Sequence, residues 1–367
     1  MSRARLAPLL AALVALAVIG TAAGRPGSNT ALARRLAGAL EAPNLDAARS
    51  AAVAVDLRTG AVVFSRNPGL PLLPASTEKL AVGYAALALL GPGFRFHTDV
   101  RGVGTLDGTV WRGDLVLGGH GDPTLGAEDL AGLAEQVAGW GITRVTGAVL
   151  GDESWFDGIR TGPGWKSSFY VLESPPLSAL VVERALYRAK TSDNPALAAA
   201  SLFRQALAEA GVTVTKRSRL GGAGESSLPL AYDISAPLAG IVAGMEPESD
   251  NFVAELLLKE LGALAAGHGT TAAGAGVVRD VLERAGVPLA GVRLVDGSGL
   301  SSGDRLTAAA LVALLRAAWD DPELREAFVA SLALAGVSGT LEERMREPPA
   351  RGRVRAKTGT TNVASAL

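Results

Sequence analysis

Three short segments carry residue types suited to acyl transfer. The first is Ser76-Thr77-Glu78-Lys79. On a helix, residues i and i+3 share a face, so this spacing sets a hydroxyl beside an amine. A serine hydroxyl is a poor nucleophile until a neighbouring base takes its proton. A lysine whose pKa is lowered by burial or by a second cation is such a base. A helix start also offers backbone N–H groups and a positive dipole end to a developing oxyanion. Taken alone, the segment also fits a serine that simply caps a helix.

The second segment, Ser-Asp-Asn, occurs twice, as Ser192-Asp193-Asn194 and as Ser249-Asp250-Asn251. Each copy offers a hydroxyl that could pass a proton to a leaving amine and an amide that could hold a substrate backbone. The third segment is Lys357-Thr358-Gly359-Thr360. Lys357 could bind a substrate carboxylate and help keep the other lysine deprotonated. The Thr358 hydroxyl could bond the same carboxylate, and Gly359 would let the backbone approach a ligand closely. The N–H of Thr360 would be a second oxyanion donor beside that of Ser76. Taken alone, this segment also reads as an ordinary strand-to-turn junction.

The elements that must position these groups follow from pattern. Ala52 to Asp56 and Ala61 to Phe64, joined by Arg58-Thr59-Gly60, predict a hairpin. Leu80 to Leu90 predicts a buried helix that opens at Ser76 and is closed by Gly91-Pro92. Val100 to Leu117 reads as short strands with glycine turns, Leu130 to Ala138 as a helix and Val145 to Leu150 as a strand. Gly158 to Pro176 is rich in glycine, serine and proline. Further helices are predicted over Leu197 to Ala210, Asn251 to Leu264, Val277 to Ala285 and Ala308 to Ala318. Val354 to Thr358 reads as a strand.

Composition excludes several classes. The 367 residues are 48% hydrophobic, enough to bury a sizeable core. A formal net charge of -1 gives no overall pull toward nucleic acid. With no cysteine, disulfides, thiolate metal sites and a cysteine nucleophile are out. His97, His120 and His268 are too far apart in sequence for a local zinc motif. Arg3 and Arg5, the apolar run Leu6 to Ile19 and the small residues up to Ala23 read as an export signal over 1–23. Left uncleaved, that segment would act as a membrane anchor. Either way the protein is expected outside the cytoplasm.

In this order, the three segments are the set shared by β-lactamases and penicillin-binding proteins. Pro74 to Leu80 resembles the penicillin-binding-protein type 4 family of D-alanyl-D-alanine carboxypeptidases. So do Gly113 to Leu117, Gly121 to Leu125, Asn194 to Leu197, Asp296 to Ser301 and Gly336 to Leu341. The resemblance selects Ser249 over Ser192, because Asn251 to Gly262 matches the helix that follows the working copy. It implies an α+β fold: a β-lactamase/transpeptidase-like domain, an antiparallel sheet flanked by helices, interrupted by a smaller inserted α/β domain. The corresponding boundaries are 29–93 with 233–367 for the first, and 94–232 for the insert. Family members continue past Lys-Thr-Gly, so the C-terminal strands are expected to be missing here.

The resemblance further implies a serine peptidase acting on peptidoglycan stem peptides through a Ser76 acyl-enzyme, trimming D-alanine ends or cleaving cross-links. Lys79 would be the general base, Ser249 would hand a proton to the leaving D-alanine, and Asn251 would hold the peptide. Lys357 and Thr358, with Gly359 and Thr360, would bind the terminal carboxylate and the oxyanion. A loop of the insert near Asp152 would touch the peptide. β-Lactams would acylate the same serine as inhibitors. No metal, organic cofactor or nucleic acid is called for. Asp296 is expected to fix its Gly-Ser-Gly turn by side-chain-to-backbone bonds. Ser302 stands where relatives often carry arginine, which points to a different third residue in the stem peptide. The rival readings are a β-lactamase and a non-catalytic wall-binding protein on the same scaffold.

Overall fold

The computed structural model describes residues 29–367 apart from 44, 225 and 363, so the export segment 1–23 lies outside the described residues. Helix α1 (Asn29–Ala39) precedes an antiparallel hairpin of β1 (Ala52–Val55) and β2 (Val62–Arg66). Its turn is held by Asp56, whose Oδ1 accepts from the N–H groups of Arg58 and Thr59. Helix α2 (Lys79–Leu90) is apolar on all sides and buried for most of its length, as expected of a central helix. It ends at Gly91, whose φ of 82° suits glycine.

Strands β3 (His97–Asp107) and β4 (Val110–Gly119) form one long hairpin, not the several short strands expected. The glycines misled. Gly104 and Gly113 face each other in register. A Cβ on Gly104 would meet the Arg112 carbonyl at 2.2 Å, and φ there is 145°. These glycines permit close strand approach instead of turns. Next come α3 (Ala127–Gly139), β5 (Arg144–Val145), β6 (Val149–Asp152), β7 (Leu186–Tyr187), β8 (Lys190–Thr191) and α4 (Pro195–Glu209). The expected strand 145–150 is broken at Gly147, where the β4 backbone and Asp114 crowd in. Then follow β9 (Thr213–Val214), β10 (Arg219–Leu220) and β11 (Leu228–Ile234). The sheet order is β10-β6-β4-β3-β11, with β5 on β4 and β9 on β5.

The rest is largely helical: α5 (Leu238–Glu248), α6 (Asn251–Ala266), α7 (Thr271–Arg284), α8 (Ala308–Asp320) and α9 (Arg325–Ser331). Asp250, Thr270 and Thr307 cap α6, α7 and α8 through their side chains. Two short antiparallel pairs close the chain, β12 (Ala333–Leu334) with β13 (Arg355–Ala356), and β14 (Gly359–Thr360) with β15 (Ser365–Ala366). The strand expected over 354–358 is thus shorter. The Thr358 carbonyl is taken by Lys357 Nζ at 2.9 Å, which interrupts the ladder.

Two large apolar cores result, beside two small clusters, among the described residues. One lies between the mixed sheet and α3 and α4, built from residues such as Trp111, Leu133 and Phe203. The other surrounds α2 with α5 to α9, built from residues such as Phe252, Leu257 and Phe328. Phe156, Leu177 and Val181, in chain between β6 and β7, pack into this second core and tie the two together. Among the described residues no helix is long and apolar enough to cross a membrane.

Candidate active site

Ser76 lies in a single 3-10 turn, Ala75–Glu78, that leads straight into α2. The preceding Ala75 has φ 49°, a left-handed conformation uncommon for a residue with a Cβ. Thr77 Oγ1 donates to the Pro74 carbonyl at 2.7 Å and closes the turn. Lys79 follows, fully buried. Its Nζ lies 3.0 Å from Ser76 Oγ, 2.7 Å from Asn251 Oδ1 and 2.7 Å from the Ser298 carbonyl. Two of these neighbours can only accept. A neutral amine satisfies both with its two N–H bonds and leaves its lone pair to the serine hydroxyl. Burial, and then the charge of Lys357, push the Lys79 pKa down to about 8.

Ser249, Asp250 and Asn251 join α5 to α6, and each turns to a different task. Ser249 ends α5 in the left-handed region, with φ 58° and ψ 41°. Its Oγ accepts from Lys357 Nζ at 2.9 Å. Asp250 caps α6 and pairs with Arg184 at 2.7 Å. Asn251 Oδ1 meets Lys79, while its Nδ2 donates to the Glu173 carbonyl at 2.9 Å. The other copy is a helix cap: Asn194 Oδ1 accepts from Leu197 N, and Ser192 Oγ donates to the Asn194 carbonyl. Asp193 accepts from the Tyr170 hydroxyl.

Lys357 is buried, and desolvation pushes its pKa down to about 8 against the pull of Glu246. Thr358 Oγ1 donates to Thr340 Oγ1 at 2.8 Å. Gly359 is where bare backbone is required. A Cβ there would lie 2.7 Å from the Pro74 carbonyl, 3.1 Å from Thr77 N and 3.2 Å from Ser76 N. Strand β14 therefore runs directly against the serine turn, with Thr360 exposed beside it.

Asp152 is not brought into this cluster. It lies in β6 paired with Gly118, and its Oδ1 accepts from Ser154 N within its own turn. The residues from between β6 and α4 that reach the site are instead Trp165, Glu173 and Arg184. Trp165 Nε1 donates to Asp296 Oδ2 at 2.7 Å. They lie in irregular chain whose sequence carries no periodic signal.

Sequence reasoning also missed the support behind Lys79. Glu255 Oε1 accepts from Gly297 N and Ser298 N, both at 2.9 Å, which aims the Ser298 carbonyl at the lysine. A glutamate on the α6 helix pattern carried no signal of that partner. Asp296 fixes the turn as expected, accepting from Gly299 N and Ser301 N. Glu78 and Asp304 complete a buried set of carboxyls. Burial and mutual repulsion raise Glu78 well above the usual range, Asp304 to about 9 and Glu255 to about 8. Among the described residues no group of three or more histidines and carboxylates is arranged to hold a metal ion.

Comparison with known proteins bears directly on this arrangement. A D-alanyl-D-alanine carboxypeptidase of Actinomadura sp. is 34% identical, over 89% of this chain and 76% of its own length. A carboxypeptidase of Mycobacterium tuberculosis is also 34% identical, over 90% of this chain and 74% of its own. In structure the chain is similar to penicillin binding protein 4 of Haemophilus influenzae. The TM-score is 0.78 at 21% identity, covering 86% of this chain and 85% of that one. The D-Ala-D-Ala carboxypeptidase 3 (S13) family matches residues 32–193 and 183–367. With both matched stretches together spanning the serine turn, the Ser-Asp-Asn turn and the Lys-Thr-Gly strand, the chain belongs to the D-Ala-D-Ala carboxypeptidase 3 (S13) family.

Proposed function

We propose that this chain is a serine-type D-Ala-D-Ala carboxypeptidase of peptidoglycan stem peptides, working through an acyl-enzyme on Ser76. The observation that carries the assignment is the buried Lys79 amine, 3.0 Å from Ser76 Oγ with its other two neighbours both acceptors. As Ser76 Oγ attacks the carbonyl between two D-alanines, its proton passes to Lys79 Nζ. The N–H groups of Ser76 and Thr360 face the oxyanion from the two sides of the Gly359 contact. Ser249, held by Lys357, gives a proton to the departing D-alanine nitrogen. Asn251 Nδ2 has a second hydrogen for the peptide carbonyl. Lys357, Thr358 and the exposed edge at Thr360 bind the terminal carboxylate. Water then attacks the ester and frees Ser76.

The same reading divides the chain into a transpeptidase-like domain, 29–93 with 233–367, and an insert at 94–232. It places the protein outside the cytoplasm, where peptidoglycan lies, and makes β-lactams inhibitors, because they present a strained amide in the substrate pose. Family membership and relatives named as carboxypeptidases favour it over a β-lactamase.

The test is intact-protein mass spectrometry after incubation with benzylpenicillin, alongside release of D-alanine from a stem pentapeptide. Wild type should gain one penicilloyl adduct and release D-alanine, and Ser76→Ala should do neither. Folded wild type that neither acylates nor cleaves would overturn the proposal and leave a wall-binding role.

A further inference from the structure

A carboxyl that the scheme above does not use lies inside the site. Glu246 is fully buried on α5, one turn before Ser249, and neither of its oxygens has a hydrogen-bond partner among the described residues. It stands against the face of α2 that carries Lys79: a Cβ on Gly83, one turn after Lys79, would be 2.9 Å from Glu246 Oε1. The glycine there leaves room for the carboxyl. One turn further along α5, Ser249 Oγ accepts from Lys357 Nζ at 2.9 Å, which brings that lysine to the same end of the helix. An isolated carboxylate in such a place would be strongly disfavoured. Burial does push Glu246 up to about 7, while Lys357 first and Lys79 second pull it back.

We propose that Glu246 is a positioning residue that holds the positive charge on Lys357, and so sets which of the two site lysines stands neutral. The inference rests on the acyl-enzyme reading above. Two ammonium groups in one desolvated pocket repel, so one of them sheds its proton more readily than it would alone. Glu246 acts on both, but its larger partner is Lys357, for which it is the charged neighbour that favours the ammonium. The carboxylate and the Lys357 ammonium cancel, and the remaining amine, Lys79, is left as the base. Lys79 also feels Asp296 and Glu255 from the far side, both of which favour its charged form less than Glu246 does. Glu78, the residue before Lys79, points into the separate carboxyl set with Asp304.

The readout is the pH profile of kcat/KM for D-alanine release, which a purely structural residue would not displace. Glu246→Gln keeps the shape and removes the charge. Both lysines then lose a group that favours their ammonium forms, so both limbs of the profile should move to lower pH, by about one unit. Glu246→Asp keeps the charge and should hold both limbs nearer to wild type. Limbs that stay in place in folded Glu246→Gln would overturn the inference, while wild-type acylation at Ser76 would still stand. If Glu246→Gln fails to fold, the Glu246 side-chain 13C resonance of wild type decides. Ionisation between pH 5 and 8 is expected, and a carboxyl that stays protonated throughout would overturn the proposal.

Discussion

Lys357 Nζ donates to Ser249 Oγ at 2.9 Å, joining residues 108 apart in sequence. In the proposed mechanism this contact orients the hydroxyl that serves the leaving amine and gives it a proton source. Ser249→Ala removes the relay but neither the nucleophile nor its base. D-Alanine release should fall by about 10² to 10⁴-fold, the usual span for a lost acid–base group. Ser192→Ala should leave release unchanged, because that serine only shapes the start of α4. Steady-state assays of the pair check this, and equal losses would refute the assignment of the working copy.

On the proposed mechanism the two lysines set opposite limbs of the pH profile. Lys79 works as the neutral amine, which grows as pH rises through about 8. Lys357 works as the ammonium, which is lost as pH rises through about 8. The profile should therefore be narrow and centred in the mildly alkaline range. Lys357→Met removes a charge that holds Lys79 down, so the acid limb should move to higher pH. Acylation by benzylpenicillin followed by stopped flow measures that limb directly, and an acid limb that moved down would contradict the assignment.

Gly359→Ala puts a methyl group against three backbone atoms of the serine turn, none of which can swing aside. Strand β14 must shift away from Ser76. A displacement of that size costs about 10²-fold in rate where reacting groups must be aligned. The melting temperature should hardly change, because β14 contributes little to either apolar core. Acylation rates and thermal melts of the variant separate the two effects.

Behind the site, burial raises Glu78, Glu255 and Asp304 above their usual range. A carboxyl with a raised folded pKa stabilises the fold fully below its unfolded pKa, and that contribution is lost as pH rises toward the folded value. Stability should then be greater near pH 5 than near pH 8. The lysines act oppositely only above about 8, where the native state sheds protons first. Glu78→Gln should flatten the decline by removing a buried acid with no partner. Melting temperatures between pH 5 and 8 check this, and a Tm that rose with pH would be incompatible with it.

The site was legible where chemistry is local. Ser76 and Lys79 share one turn, and Lys357 to Thr360 are contiguous, so the segments taken together marked them as candidates, although each alone also fitted a plain cap or turn. The two Ser-Asp-Asn copies were not separable by chemistry alone, since both begin helices; the difference is that α6 starts beside Lys79 and α4 does not. What could not be read was long-range support. The Ser298 carbonyl reaches Lys79 across 219 residues, and Trp165 reaches Asp296 across 131. No periodic pattern announces such contacts. The helices were placed because apolar periodicity and caps mark them. The long β3–β4 hairpin was split into short strands because paired glycines look like turns in one dimension.

Asn251 spends both ends of its amide on different parts of the chain. Lys79, with its lone pair turned to Ser76, donates to the amide oxygen, and the Glu173 carbonyl only accepts, so the amide has one orientation. The stretch that carries Glu173 is for this reason not detachable from the site. Trimming the loop around Glu173 to make a smaller enzyme would strip Asn251 of its acceptor and let it rotate away from the base. Protein engineers seeking a minimal hydrolase from this scaffold would have to keep that loop, or replace the carbonyl it supplies.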